Sequence, residues 1–163
     1  MTDADAFLSR LDGAEERFAG HAARPSSAES LTSADPASGE RWEAGQVWAH
    51  VAEFIPYWIE QAQHVIDGFV EDPVPFGRTK SDSGRIAAIE RGRGVPVSVL
   101  WSETHSDLEA LRQFVRGLTE HALRARGLHP TMGVMTTAGI VEEFLVGHLE
   151  QHADQLDELT RGT

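Results

Sequence analysis

Val141, Leu145, His148, His152 and Leu156 step along the chain by four, three, four and four residues. That is the spacing of one face of an α-helix, which turns once in 3.6 residues. The face is apolar except for its two imidazoles. A helix with such a stripe must bury it against other elements, so the chain needs a core that also accommodates two polar rings. Buried imidazoles require hydrogen-bond partners or a metal ion. Side chains four apart on a helix project together, with Cβ atoms about 5–6 Å apart, so His148 and His152 can converge on one ion. In a chain with eight histidines the bare spacing is weak evidence. Its place on the core stripe carries the information, and a structurally satisfied pair is the competing reading.

Three more amphipathic segments supply the partners. The first helix is expected over residues 3–22, with Phe7, Leu8, Leu11, Ala14 and Phe18 inward and Thr2 or Asp3 as cap. Residues 23–41, rich in Ser, Pro, Asp and Gly, form a long loop. The second helix is expected over 42–67, its stripe including Val47, Val51, Phe54, Ile55, Trp58 and Ala62, with a bend at Pro56. Residues 68–96 make a long connection that holds a short helix over 81–91. An antiparallel hairpin needs far less, so this length suits a crossover between parallel helices. The third helix lies within 97–126, broken by Gly127-Leu128-His129-Pro130. The fourth runs from Thr136 or Thr137 to Thr160, and Arg161-Gly162 follows its end. No stretch of period-two alternation competes and no internal repeat appears. Residues 1–163 are therefore expected to form an all-α, single four-helix bundle domain.

Composition narrows the chemistry. The chain has no cysteine, which excludes disulfides, thiolate metal sites and a cysteine nucleophile. Any metal must be held by His, Asp or Glu. A net charge of −12 argues against nucleic acid as a partner. No apolar run is long enough to span a membrane and the N-terminus lacks a secretory pattern, so the cytoplasm is the expected location.

A third ligand is expected at His50. It lies beside Val47, Val51 and Phe54, about eight residues after the start of the second helix, while His152 lies about eight residues before the end of the fourth. If these helices are antiparallel neighbours, the rings fall at one height, because each residue advances 1.5 Å. His64 is too far along the second helix to share the ion. His105 falls near the same level and is a candidate supporting group. His121 is expected to be structural, and His21 and His129 solvated near helix ends. Glu142 and Glu143 are candidates for a carboxylate near the site, although a solvated face is the commoner use of such residues. Trp48, Trp58 and Trp101 are expected in the core. Glu150 follows His148 by two residues, so the zinc-protease pattern, with glutamate directly after the first histidine, is absent. Three imidazoles leave open positions on the ion, the mark of a catalytic site. The alternative is a non-catalytic bundle that holds a metal or a small ligand.

Two segments carry a family resemblance: Trp42-Glu43-Ala44-Gly45-Gln46-Val47-Trp48-Ala49-His50-Val51-Ala52-Glu53 and His148-Leu149-Glu150-Gln151-His152-Ala153-Asp154-Gln155-Leu156. In them the chain resembles the DinB-like superfamily, which includes the YfiT-type metal-dependent hydrolases and the N-terminal domain of mycothiol-dependent maleylpyruvate isomerase. The resemblance implies an up-down-down-up bundle and a three-histidine metal site at His50, His148 and His152. It further implies a divalent ion, zinc first and nickel as alternative, a small-molecule substrate, and a homodimer. Activity would be hydrolysis or thiol S-transfer using mycothiol, bacillithiol or a similar thiol. Lys80 is the only lysine beside many arginines, a sign of GC-rich coding that makes mycothiol the first thiol to expect. The chain lacks the isomerase's additional C-terminal domain, so that particular reaction is not carried over. No catalytic residue is assigned.

Overall fold

The computed structural model describes residues 2–161. Helix α1 (Asp3–Ala23) opens on a reciprocal cap in which the Asp5 amide donates to the Thr2 hydroxyl and the Thr2 amide donates to the Asp5 carboxylate. Helix α2 (Ala44–Gly68) begins at Glu43, whose amide is taken by the Gln46 side chain. It runs unbroken through Pro56. That proline is exposed, so the carbonyl left without its intrahelical partner lies on the wet side. The crossover carries the two-residue strand β1 (Val74–Pro75) and helix α3 (Ser83–Gly92), capped by the Asp82 side chain, which accepts from the Arg85 amide. Helix α4 (Val97–Arg116) follows Pro96.

The four long helices are α1, α2, α4 and a composite fourth helix. Their directions follow from which residues meet. Arg10 pairs with Glu142 and Glu150, Arg17 with Asp154 and Asp157, and His21 with Asp157, so α1 and the fourth helix run in parallel. Trp58 stacks on Phe144 while His50 meets His148 and His152, which makes α2 antiparallel to the fourth helix. Trp48 meets Trp101, and further along Ile59 and His64 share a groove with Asp107 and Ala110, so α2 and α4 run in parallel. The topology is up-down-down-up, with the crossover between the two parallel helices. Phe18, Trp48, Phe54, Leu108, Leu111, Leu145 and Leu149 fill the centre. Each such side chain, fully buried, contributes about 1.5–3 kcal/mol.

One expectation is corrected. The third long helix stops at Arg116; residues that periodicity assigns to it form the short helix α5 (Glu120–Arg124), and the expected break at 127–129 belongs with Arg126 to strand β2 (Arg126–His129). Strand β2 pairs in parallel with β1 and antiparallel with β3 (Gly133–Thr136). Alternation is present in β2, where Gly127 and His129 are buried and Arg126 and Leu128 exposed. Its inward residues are a glycine and a histidine, so hydrophobicity did not reveal it. Gly127 is required by close approach, because a Cβ there would lie 2.5 Å from the Phe76 ring and 2.8 Å from Val65. The expectation for His129 is reversed as well. It is buried, its Nδ1 accepts from the amides of Thr131 and Met132, and its Nε2 donates to the Arg78 carbonyl. His21 is not solvated either, because Asp157 holds its ring at 2.6 Å. His121, expected to be structural, is exposed on α5.

The fourth helix comprises α6 (Thr137–Val141), a π-helical turn (Glu142–Val146) and α7 (Gly147–Arg161). Gly162, expected just beyond it, lies outside the described residues. The Gly147 amide donates to the Glu142 carbonyl, five residues back. That wide turn brings the same carbonyl within 2.5 Å of where a Gly147 Cβ would sit. The sign of one substitution tests this. In an ordinary helix interior Gly→Ala stabilises by about 0.5–1 kcal/mol. Here Gly147→Ala is expected to destabilise by about 1–3 kcal/mol through the backbone clash. Denaturant titration reads the difference, and a gain in stability would show that the wide turn is not maintained.

Candidate metal centre

His50 comes from α2, and His148 and His152 from the first two turns of α7. The Nε2 atoms of His50 and His152 each lie 3.1 Å from Nε2 of His148. One nitrogen from each ring falls within 4.8 Å of the others. The height match expected between α2 and the fourth helix is what the structure shows. His50 and His152 are buried and His148 is half-buried.

Each outer ring has its far nitrogen fixed. His50 Nδ1 donates to the Glu53 carboxylate at 2.8 Å, and His152 Nδ1 donates to the Gln155 side-chain oxygen at 2.6 Å. A neutral imidazole carries one proton, so both Nε2 atoms present bare lone pairs to His148. His148 can offer at most one proton from its Nε2, which satisfies one of these contacts and not both. The cluster is thus short of a positive centre. The rings do not supply it by protonation. Burial pushes the pKa of His50 and His148 well below the usual histidine value, helped by the neighbouring rings, and burial brings His152 to about 4. Three neutral nitrogen donors are the form that metal coordination requires. Donors bonded at 2.0–2.1 Å around a tetrahedral zinc stand roughly 3.3 Å apart, close to the 3.1 Å of the His50–His148 and His148–His152 pairs. The residues present therefore fit a divalent ion.

The surroundings hold these donors in place. Glu53 is gripped through both oxygens by Arg78, at 2.6 and 2.7 Å, and Arg78 lies 3.9 Å over the Tyr57 ring. Phe54 packs within 5.1 Å of His50 and 4.6 Å of His148. Trp42 stacks on His152 with the two rings nearly parallel, and meets His50 edge-on. Trp42 precedes the N-cap of α2 and is positioned by the loop. The Thr32 amide donates to the Trp42 carbonyl at 2.8 Å, and the Trp42 amide donates to the Thr32 hydroxyl at 2.9 Å. Sequence reasoning took Trp42 as the start of a helix and residues 23–41 as a plain loop. The available signal was a lone large aromatic in a polar stretch just before a helix.

The open side of the triad faces a cavity of about 960 Å³ that Trp42, Trp58, Arg78, Arg85 and Phe144 help to line. Trp58 and Phe144 stack at 4.1 Å, so Trp58 is both core and cavity wall. Glu143 reaches this cavity, whereas Glu142 is taken by Arg10. Glu150 is also taken by Arg10, away from the triad. His64 is exposed and apart from the triad, and His105 pairs with Glu15 at 2.7 Å, which removes it as a supporting group.

The class this defines is a four-helix bundle that gathers three imidazoles, able to hold a metal ion, at the wall of a cavity. Among solved structures, the chain is similar to YfiT from Bacillus subtilis, described as a probable metal-dependent hydrolase with an unusual four-helix bundle topology. The TM-score is 0.74 at 17% identity, over 98% of this chain and 86% of that one. It is also similar to the mycothiol-dependent maleylpyruvate isomerase, with a TM-score of 0.69 at 15% identity, over 94% of this chain and 60% of the isomerase. The chain thus spans less than two thirds of the isomerase. The fold implied by the two sequence segments is the fold observed. No protein-family model and no curated protein matches the sequence. Among the described residues no helix is long and apolar enough to cross a membrane.

Proposed function

We propose that the chain binds one divalent metal ion through His50, His148 and His152 and acts on a small molecule as a metal-dependent hydrolase or thiol S-transferase. The observation that carries this reading is the convergence of Nε2 lone pairs, two of them fixed by Glu53 and Gln155, on a third imidazole. Zinc suits three neutral imidazoles, and nickel is the alternative. Bound there, the ion would lower the pKa of a water or hold a thiolate. The chain has no cysteine, so a thiol would come from a small molecule, with mycothiol first. The neighbours described as metal-dependent and mycothiol-dependent support the same reading.

The protein's own groups have defined parts in this reading. Glu53 and Gln155 keep the Nδ1 protons of His50 and His152 in place, so each ring offers Nε2. Phe54 keeps water from the inner side of the triad, and Trp42 packs on His152 at the cavity's edge. The cavity on the other side admits the substrate.

The test begins with protein purified without a histidine tag. Elemental analysis is expected to find about one divalent ion per chain. The loaded protein is then offered S-conjugates of mycothiol and bacillithiol and simple esters and amides, with product followed by mass spectrometry. Metal-dependent turnover of any of these supports the enzyme. A bound ion with no turnover across the set leaves the non-catalytic binding role, and a protein that takes up no ion overturns the reading.

A further inference from the structure

Six arginines are not exposed: Arg10, Arg17, Arg78, Arg85, Arg93 and Arg112. Five of them have a carboxylate oxygen within 4.0 Å, and Arg112 grips Glu15 especially closely. Arg85 has none among the described residues. Among the described residues its guanidinium makes one hydrogen bond, from Nη1 to the Lys80 carbonyl at 3.0 Å, and it lies 5.6 Å over the Trp42 ring. A guanidinium has five N–H donors in a rigid fork. Leaving most of that fork half-buried without an anion is costly, and burial lowers the pKa of Arg85 accordingly.

This side chain lines the triad's cavity and lies near enough for its charge to act on all three imidazoles. The cavity wall holds two other cations, and both are occupied. Arg78 is paired with Glu53, and Lys80 with Asp35 at 3.0 Å. Of the wall's acids, Asp35 is thus taken, and Glu158 accepts from the Ser33 amide and hydroxyl. Glu40 and Glu143 are exposed, and Glu40 acts on Arg85 from beyond ion-pair distance. In a chain of net charge −12, Arg85 is held beside the triad with no ion pair to a carboxylate among the described residues. Next to it the wall is aromatic, through Trp42, Trp58 and Phe144.

We infer that Arg85 anchors the acid group of the substrate: the cavity takes a small organic carboxylate whose carboxylate lies in the Arg85 fork. Its apolar body runs along Trp58 and Phe144, and its reacting end faces the triad. The inference rests on the proposed function for the role of the triad and names the substrate class for it. The anchor itself requires no metal.

The test uses benzoate as probe and benzamide as its uncharged counterpart, followed through the Trp42 indole N–H signal by NMR in metal-free and metal-loaded protein. Benzoate is expected to bind both forms, and benzamide at least about tenfold more weakly, because charge-assisted fork contacts are the strong ones. Arg85→Gln is expected to weaken benzoate by about tenfold or more, with Arg85→Lys intermediate, since lysine keeps the charge and loses the fork. Metal content and melting temperature of both variants should match the parent, and Arg85→Lys carries the test should Arg85→Gln fail to fold. Equal benzoate affinity in parent and variants, no benzoate binding, or tighter binding of phenyl phosphate than of benzoate would each overturn the inference. Loss of benzoate binding on substitution, in a protein that takes up no metal, would keep the anchor and discard the metal reading.

Discussion

Metal content is expected to drop from about one ion per chain to background when His152 or His148 is replaced by alanine. Structural zinc sites bind with about 10–16 kcal/mol spread over four ligands, so one imidazole carries roughly 3 kcal/mol, on the order of a hundredfold in affinity. Two remaining imidazoles do not hold an ion through purification. Elemental analysis of dialysed protein and competition with a chromophoric chelator measure the loss. The two substitutions separate the metal site from a pair that only fills the core. A structural pair would lose stability on truncation while leaving any bound metal untouched. Full occupancy in both variants would remove the triad from consideration.

The second large effect is at Glu53. Its carboxylate lies between His50 Nδ1 and the Arg78 guanidinium, and the side chains of Glu53 and Arg78 are 13% and 10% exposed. Burial raises the Glu53 pKa and outweighs Arg78, which lowers it. A carboxyl whose folded pKa is raised contributes stability below its unfolded pKa, and that stability is lost as pH rises through the folded value. The charged pair is therefore no net source of stability at neutral pH. Removing one partner is still severe, because it leaves the other charge buried alone. Glu53→Ala is expected to cost about 3–5 kcal/mol in denaturant titrations. It also frees the His50 ring, and loss of such a supporting carboxylate lowers metal affinity by about 10–100-fold. Glu53→Gln, which keeps the shape and an acceptor for Nδ1–H, should retain more of the affinity than Glu53→Ala. Unchanged stability and metal affinity in Glu53→Ala would show that neither Arg78 nor His50 depends on it.

The histidine triad was largely legible in the sequence. Histidines on an apolar helix face cannot be left to solvent, which singles out His148 and His152. Equal axial offsets from opposite helix ends place His50 beside them, and the structure brings these three rings together. The length of the segment between α2 and α4 indicated the crossover. What was not legible depends on contacts between distant segments. Glu53 and Gln155 read as ordinary polar residues until His50 and His152 are seen to need fixed protons. Arg85 stands out only when the partners of every other part-buried arginine are known. Strand β2 was hidden because its inward positions are Gly127 and His129. The wide turn at 142–146 leaves no mark in an apolar pattern that fits a regular helix equally well.

That turn has a consequence for how the fourth helix divides its labour. Each residue added to a helix rotates everything after it by about 100°, so the wide turn acts as a phase shift between two half-helices. Phe144, inside the turn itself, answers to Trp58 and His129; the half-helix that follows, through His148 and His152, answers to His50. With Gly147 at the seam, the aromatic wall can be reshaped without turning the imidazoles away from one another. The two halves are geared separately, and variation in what the cavity accepts need not disturb what the triad holds.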